Sequence, residues 1–313
     1  MLAASASLTG SAKWWVRLHR AHHRYTDTEN DPYSMKKGFF HAHMGWTIFK
    51  QAPIKLVHID VSDLNNDAVA SWQHRNYFSI SLSSAYILPT ICCGLFFDDW
   101  MGGFIYGGLV RVFFVQQSIF CVNSLAHWLG DQPYSDRHTP RDHILTAILT
   151  LGEGFHNFHH EFPSDYRNTY FRYQYDPTKW AIYAWSMLGI ASDLKRFRSA
   201  EIEKARLRQC KKQLQQKISK FDYGQPLEEL PIVSWAAFRS SVKEGLSWTV
   251  ISGVVYDVAG FIDEHPGGPS FIRHAIGKDA TAMLNGGIYG HSDTAFSLLE
   301  TLRIGILSET GDH

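Results

Sequence analysis

The 313-residue chain has only four cysteines, and none has an evident partner: Cys92 and Cys93 are adjacent in one apolar run, Cys121 lies in another, and Cys210 sits in a basic stretch. A disulfide framework is excluded, and a reducing compartment fits. Net charge is also missing, because 30 Lys and Arg balance 30 Asp and Glu, so nothing global draws the chain to an anionic surface. No nucleic-acid partner is expected. The stretch from Met1 to Ser11 has no basic cluster ahead of its weakly apolar residues, which argues against a secretory signal. Internal repeats and low-complexity tracts are absent too.

Histidine, by contrast, is abundant: 17 residues against four cysteines favour imidazole over thiolate as the metal-binding group. Long apolar runs are also present, although the mean hydropathy of −0.20 conceals them. Residues 77–97 contain no charged side chain and residues 101–123 contain only Arg111, each run having about the 20 residues needed to cross a hydrocarbon core. Buried core helices are the alternative reading. Asp98 and Asp99 leave room only for a tight turn, so the two runs predict a transmembrane hairpin.

Two crossings return the chain to the side it left, and the polar segments before and after the hairpin therefore face one compartment. Lys36, Lys37, Lys50, Lys55 and Arg75 precede the hairpin and Arg137, Arg141 and Arg167 follow it, whereas its turn is acidic. By the positive-inside rule the shared face is cytosolic. Residues 180–194 are apolar but short, which suits an interfacial helix.

His19-Arg-Ala-His22-His23 places imidazoles at i, i+3 and i+4, on one helical face within a turn of each other. His156-Asn-Phe-His159-His160 repeats the pattern beyond the hairpin, on the same side of the membrane. Six imidazoles gathered at a membrane surface have no other physical purpose than to bind metal. His127, with Asn123 one turn before it, adds a seventh candidate at the end of the second run. The donors are nitrogen-rich, which suits Fe or Zn and disfavours Mg or Ca, and seven are too many for one ion. A two-metal site is expected.

Other histidines read as ordinary. His138 and His143 have the spacing of a further pair, but Thr139 and Pro140 look like the cap and first residue of a helix, which explains them without metal. His41, His58, His74 and His274 are expected at the surface. Residues 199–221 predict a charged connector helix with Leu207, Cys210, Leu214, Ile218 and Phe221 on one stripe, and Gly224-Gln225-Pro226 ends it. The expected division is 1–198, a helical linker 199–224, and 225–313.

The boxes and their context, Lys13-Trp-Trp-Val-Arg-Leu-His19, Asp31-Pro-Tyr33, Gly38-Phe-Phe40 and Gly152-Glu-Gly-Phe-His156, together with the intervening Asn123-Ser-Leu-Ala-His127, resemble the membrane fatty-acyl desaturases. Among those the acyl-CoA delta-9 type is most similar. The resemblance implies a diiron centre that uses O2 to desaturate a saturated fatty acyl-CoA, with His19, His22, His23, His127, His156, His159 and His160 as ligands. It further implies Asn123 beside a metal-bound water, and Trp15 and Arg17 near the acyl-CoA. The family has an earlier H-x-x-x-x-H box, and no histidine precedes His19 here. The site is thus two ligands short, and an N-terminally truncated member is expected.

From about residue 225 the strand Val254 to Val258, the motif His265-Pro-Gly-Gly268, Gly290-His291 and the closing strand Arg303 to Leu307 resemble cytochrome b5. That likeness implies haem b held between His265 and His291, with Phe261, Ile262, Leu298 and Leu299 as candidate walls. Two axial histidines leave no vacancy for O2, so such a haem moves single electrons. The fold class expected is mainly α, desaturase helices with a cytosolic histidine-box cap, followed by a small α+β haem domain. The implied setting is the endoplasmic reticulum membrane, multi-pass and in contact with lipid, with boxes and haem domain cytosolic and electrons arriving from NADH-cytochrome b5 reductase. A competing expectation is a membrane-anchored b-type electron-transfer protein with an inactive desaturase remnant.

Overall fold

The computed structural model describes residues 2–49, 59–286 and 290–308, so that His58, Lys50 and Lys55 lie outside the described residues. It divides into two compact units, residues 1–213 and 214–313.

In the first unit, the helices Tyr77–Phe97 and Trp100–Trp128 have mean hydropathies of 1.7 and 1.5 and are long enough to cross a membrane. Only 17% of each apolar window is buried, and Phe78, Leu95, Phe96, Phe97, Met101 and Tyr106 point outward. Core helices of a water-soluble protein would hide these side chains, whereas lipid is the solvent that suits them. At the turn, Asp98 adopts the left-handed conformation at φ 54°, and the Asp99 carboxylate accepts the Gly102 N–H at 2.7 Å to cap the next helix. Glycines let the two helices approach: a Cβ at Gly103 would stand 2.7 Å from that of Cys93. Arg111 is satisfied by the carbonyls of Ala6, Ala85 and Gly107 at 3.3, 3.0 and 2.8 Å. A charge in an apolar run is tolerable on those terms.

The two box helices are fixed by separate sets of contacts. Ala12–Tyr25 starts at Ser11, whose hydroxyl accepts the Trp14 N–H and meets His74 Nδ1 at 2.6 Å, while the Gln73 side chain accepts the Ala12 N–H. Trp15 and Leu18 on its underside pack against Tyr33, Trp46 and Phe120. His156–Glu161 is short, and its first N–H groups, from Asn157 and Phe158, point at the Asp142 carboxyl at 2.8 and 3.3 Å. Burial pushes that carboxyl up to about 7. Below it Phe158 packs with Tyr134, Phe162 and Ile202.

Two local expectations are corrected. No helix begins at Thr139 and Pro140; the helix is Ile144–Leu149, with His143 in the cap position. Thr139 fails as a cap because its side chain is engaged by Asp27 and His127. The connector helix, Ser199–Ile218, buries Ile202, Ala205 and Gln209, whereas Leu207 and Leu214 on the expected stripe are 67% and 55% exposed. Its first half docks on the Phe158 cluster, and that partner surface selects the face. Pro177–Met187 carries Trp180, Tyr183 and Trp185 outward, as an interfacial helix would.

In the second unit a four-stranded sheet has the order β1-β4-β3-β2, with β1 Ile232–Val233, β2 Trp248–Ile251, β3 Val254–Asp257 and β4 Arg303–Leu307. β2 and β3 form a hairpin closed by Ser252 and Gly253, both at positive φ, the geometry whose twist suits two-residue turns. β1 runs parallel to β4. Alternation sends Val250 and Val255 toward Phe238 of the helix Trp235–Lys243, and Ile251 and Tyr256 toward Ala275 and Leu299.

Candidate metal centre

All seven histidines of the boxes come together in the first unit, in two groups. His22, His127, His156 and His160 form one and His19, His23 and His159 the other, the candidate ligand atoms within each lying no more than 4.8 Å apart. Helical spacing explains the division. The i and i+4 residues of each triplet stay together, His19 with His23 and His156 with His160, while the middle residue of each, His22 and His159, crosses to the other helix's pair. Each group thus draws on both helices.

In the smaller group, His23 Nε2 lies 3.0 Å from Nε2 of both His19 and His159, which are 3.4 Å from each other. In the larger, His160 Nε2 is 3.1 Å from Nε2 of both His22 and His156. Metal–nitrogen bonds of about 2.0–2.1 Å, at right-angled to tetrahedral ligand angles, place neighbouring donors roughly 2.9–3.4 Å apart. The spacing of these six histidines therefore fits one ion per group, and the all-nitrogen donor set fits iron.

Protonation supports the same fit. Burial, with the neighbouring imidazoles adding to it, holds His19 down to about 3 and His159 to about 4, and pushes His23, His156 and His160 down as well. Neutral imidazole is the metal-binding form. His22 Nδ1 donates to the buried Asp31 carboxylate at 2.9 Å, which turns a bare Nε2 toward its group. His127 Nδ1 meets the Thr139 hydroxyl at 2.8 Å, and its Nε2 is buried with no hydrogen-bond partner among the described residues.

Beside the smaller group is a cavity of about 490 Å³ lined by Trp15, Val16, Ile119, Val122, Asn123 and Glu153 as well as His19 and His159. Trp15 stacks on His19 with ring centroids 6.0 Å apart. Asn123 is buried, and its side-chain nitrogen has no partner among the described residues. Burial, reinforced by Asp176, pushes the Glu153 carboxyl up to about 7. Arg17 is exposed and does not line this cavity. Neither His138 nor His143 joins a metal group: the first lies 3.7 Å from Asp27 and the second meets the Thr146 hydroxyl. His41, His74 and His274 also stand outside both groups.

Sequence reasoning missed the supporting shell. Asp31 and Tyr33 stood in the Asp-Pro-Tyr motif and Glu153 in the Gly152-Glu-Gly motif without a role, Thr139 looked like a helix cap, and Asp27 carried no signal of its own.

In the second unit, His265 Nδ1 lies 3.1 Å from the Gly268 carbonyl and His291 Nδ1 lies 3.2 Å from that of Leu284. A carbonyl only accepts, so both rings carry their hydrogen on Nδ1 and keep Nε2 free for an iron. The residues present fit a haem. Phe261 and Phe271 flank His265, and Phe296 flanks His291. Of the candidate walls, Leu299 packs into the core cluster and Leu298 is exposed.

Comparisons with known proteins find a family for each part of the chain. The fatty acid desaturase family model matches residues 1–187, and the cytochrome b5-like heme/steroid binding domain model matches residues 234–308. The chain is 48% identical over 305 residues to acyl-CoA desaturase 1 of Saccharomyces cerevisiae, covering 97% of this chain and 60% of that protein. It is 47% identical over 303 residues to a probable acyl-CoA desaturase of Schizosaccharomyces pombe, covering 97% and 63%. A delta(9)-fatty-acid desaturase of Caenorhabditis elegans is 37% identical over 199 residues, 62% of this chain and 59% of that protein. The chain thus spans about three fifths of the length of the curated relatives it matches.

Proposed function

The chain belongs to the fatty acid desaturase family and carries a cytochrome b5-like domain, and from that membership we propose that it serves as an acyl-CoA delta-9 desaturase, an O2-dependent oxidoreductase of the stearoyl-CoA desaturase class. The observation that carries the reading is the interleaving of two histidine triplets with His127 into a four-donor and a three-donor group. His22, His127, His156 and His160 would hold one iron, and His19, His23 and His159 a second. Bound there, iron supplies the activation of O2 that removal of hydrogen from an unactivated methylene pair requires.

The protein's own role is binding, orientation and exclusion of water. Trp15, Val16, Ile119 and Val122 give the cavity beside the smaller group an apolar wall against which an acyl chain lies. Asn123 turns its amide into that space, where it positions a water or the reacting end of the chain. Arg17, exposed on the first box helix two residues before His19, is assigned to the CoA head group. His265 and His291 would hold haem b, which would supply single-electron transfer with NADH-cytochrome b5 reductase as the donor. The hairpin crosses the endoplasmic reticulum membrane with boxes and haem domain on the cytosolic side, and lipid covers its outward apolar residues. The working division is a desaturase domain over residues 1–198, a linker over 199–224 and a haem domain over 225–313.

Expression of the whole chain in desaturase-deficient cells tests this. Oleate and palmitoleate are expected, and are to disappear on His156→Ala. Haem-loaded protein in membranes without any unsaturated acyl product would instead identify a b-type electron carrier with an inactive desaturase domain.

A further inference from the structure

The metal reading leaves open what holds His127 in the state that can bind metal. We propose that Thr139 and Asp27 are its positioning residues: the contact Asp27–Thr139–His127 fixes the hydrogen of the imidazole on Nδ1 and presents Nε2, without its hydrogen, to the four-histidine group. The proposal rests on the assignment of that group to a metal.

Thr139 Oγ1 lies 2.6 Å from Asp27 Oδ1 and 2.8 Å from His127 Nδ1. A hydroxyl has one hydrogen, and a carboxylate can only accept. The Thr139 hydrogen therefore goes to Asp27, and the hydroxyl has only a lone pair for His127. His127 must then donate from Nδ1, and its Nε2, buried and without a hydrogen-bond partner among the described residues, carries the free pair.

Asp27 is itself fixed. Its second oxygen accepts the Thr139 backbone N–H at 2.7 Å, its own N–H donates to Asp31 Oδ2 at 2.9 Å, and its backbone is left-handed at φ 64°. Asp31 in turn accepts from His22. One chain of hydrogen bonds, His22–Asp31–Asp27–Thr139–His127, thereby orients two of the four donors from outside. His138 stands 3.7 Å from Asp27, too far to draw the carboxylate away. In the three-histidine group His19 Nδ1 meets the Tyr33 hydroxyl at 3.4 Å, and His159 Nδ1, like His156 Nδ1 of the four-histidine group, has no partner among the described residues.

The discriminating substitution is Asp27→Asn, which keeps volume and tolerates the left-handed backbone. The backbone N–H of Thr139 claims the amide oxygen, so the amide NH2 faces the Thr139 hydroxyl and donates to it. That hydroxyl then donates to His127 Nδ1, and the imidazole hydrogen moves to Nε2, where it blocks the metal. The chain of hydrogen bonds reverses without a change of shape.

The test is equilibrium dialysis of the purified full-length chain in detergent against Co2+, with bound cobalt counted by plasma mass spectrometry. Four donors against three assign the tighter binding step to the four-histidine group. Asp27→Asn and Thr139→Val are expected to weaken that step about 10- to 100-fold, the usual effect of losing a group that orients a metal-bound histidine, and Thr139→Ser to restore it to within about twofold. Asp27→Asn binding as wild type, or Thr139→Ser as weak as Thr139→Val, overturns the proposal. Wild-type chain that binds no Co2+ overturns the metal reading itself, and the proposal with it. Thermal unfolding of each variant in the same detergent separates lost affinity from lost fold.

Discussion

At the scale of single residues, the protein keeps many ionisable groups neutral in a small volume. The histidines and Glu153 do so with opposite consequences for stability. In metal-free chain, His19 and His159 have folded values of about 3 and 4, below the ordinary 6.5. Their contribution to stability is present above about 6.5 and is lost as pH falls through 6.5 toward those folded values. Glu153 is raised from 4.5 to about 7, so its contribution is full below about 4.5 and is lost as pH rises through 7. Glu153→Gln removes only the second effect. The difference in melting temperature, variant minus wild type, is therefore to increase between about pH 5 and pH 8 in chelator-treated protein, as read by thermal unfolding in detergent. A difference that is flat or declines over that range contradicts the burial assigned to Glu153.

The gathering of the seven histidines was legible at this scale because ligand chemistry restricts the residue type and helix geometry restricts the spacing. His19, His22 and His23 announce themselves on both counts. The division into groups did not, since it depends on how two helices meet. Thr139 and Asp27 lie 112 residues apart in the chain, and no local pattern relates them.

At the scale of elements, local signals succeeded where the solvent chooses the structure and failed where a neighbour does. The hairpin was legible because lipid requires two long uncharged runs, and Asp98 and Asp99 could only be the turn. Thr139-Pro140 carries the local signs of a helix start, but a tertiary contact overrides them. On the connector helix two apolar stripes of similar spacing compete, one through Leu207 and one through Ile202. The cluster of Tyr134, Phe158 and Phe162 decides for Ile202, which is fully buried. Ile202→Ala is thus expected to destabilise the first unit by about 2–5 kcal/mol, while Leu207→Ala stays within about 0.5 kcal/mol. Denaturant unfolding followed by tryptophan fluorescence checks the contrast. Equal effects from the two substitutions would place the docking face wrongly.

At the scale of the molecule, the proposed assignments give the chain two kinds of iron site built on one rule. In both units a backbone or side-chain acceptor holds the hydrogen of a histidine on Nδ1, and Nε2 is left for metal: Gly268 and Leu284 do this for His265 and His291, Asp31 and Thr139 for His22 and His127. The cytochrome b5-like domain was legible, because Pro-Gly-Gly after His265 and the strand pairs around it are local features. The chain spans 60% of its Saccharomyces cerevisiae relative, and the histidines present form one four-donor and one three-donor group. Whether both groups load is the central question for function. Non-haem iron counted against haem on the purified full-length chain answers it most directly. Two non-haem irons per haem are predicted; a chain saturated with haem and devoid of non-haem iron would contradict the account.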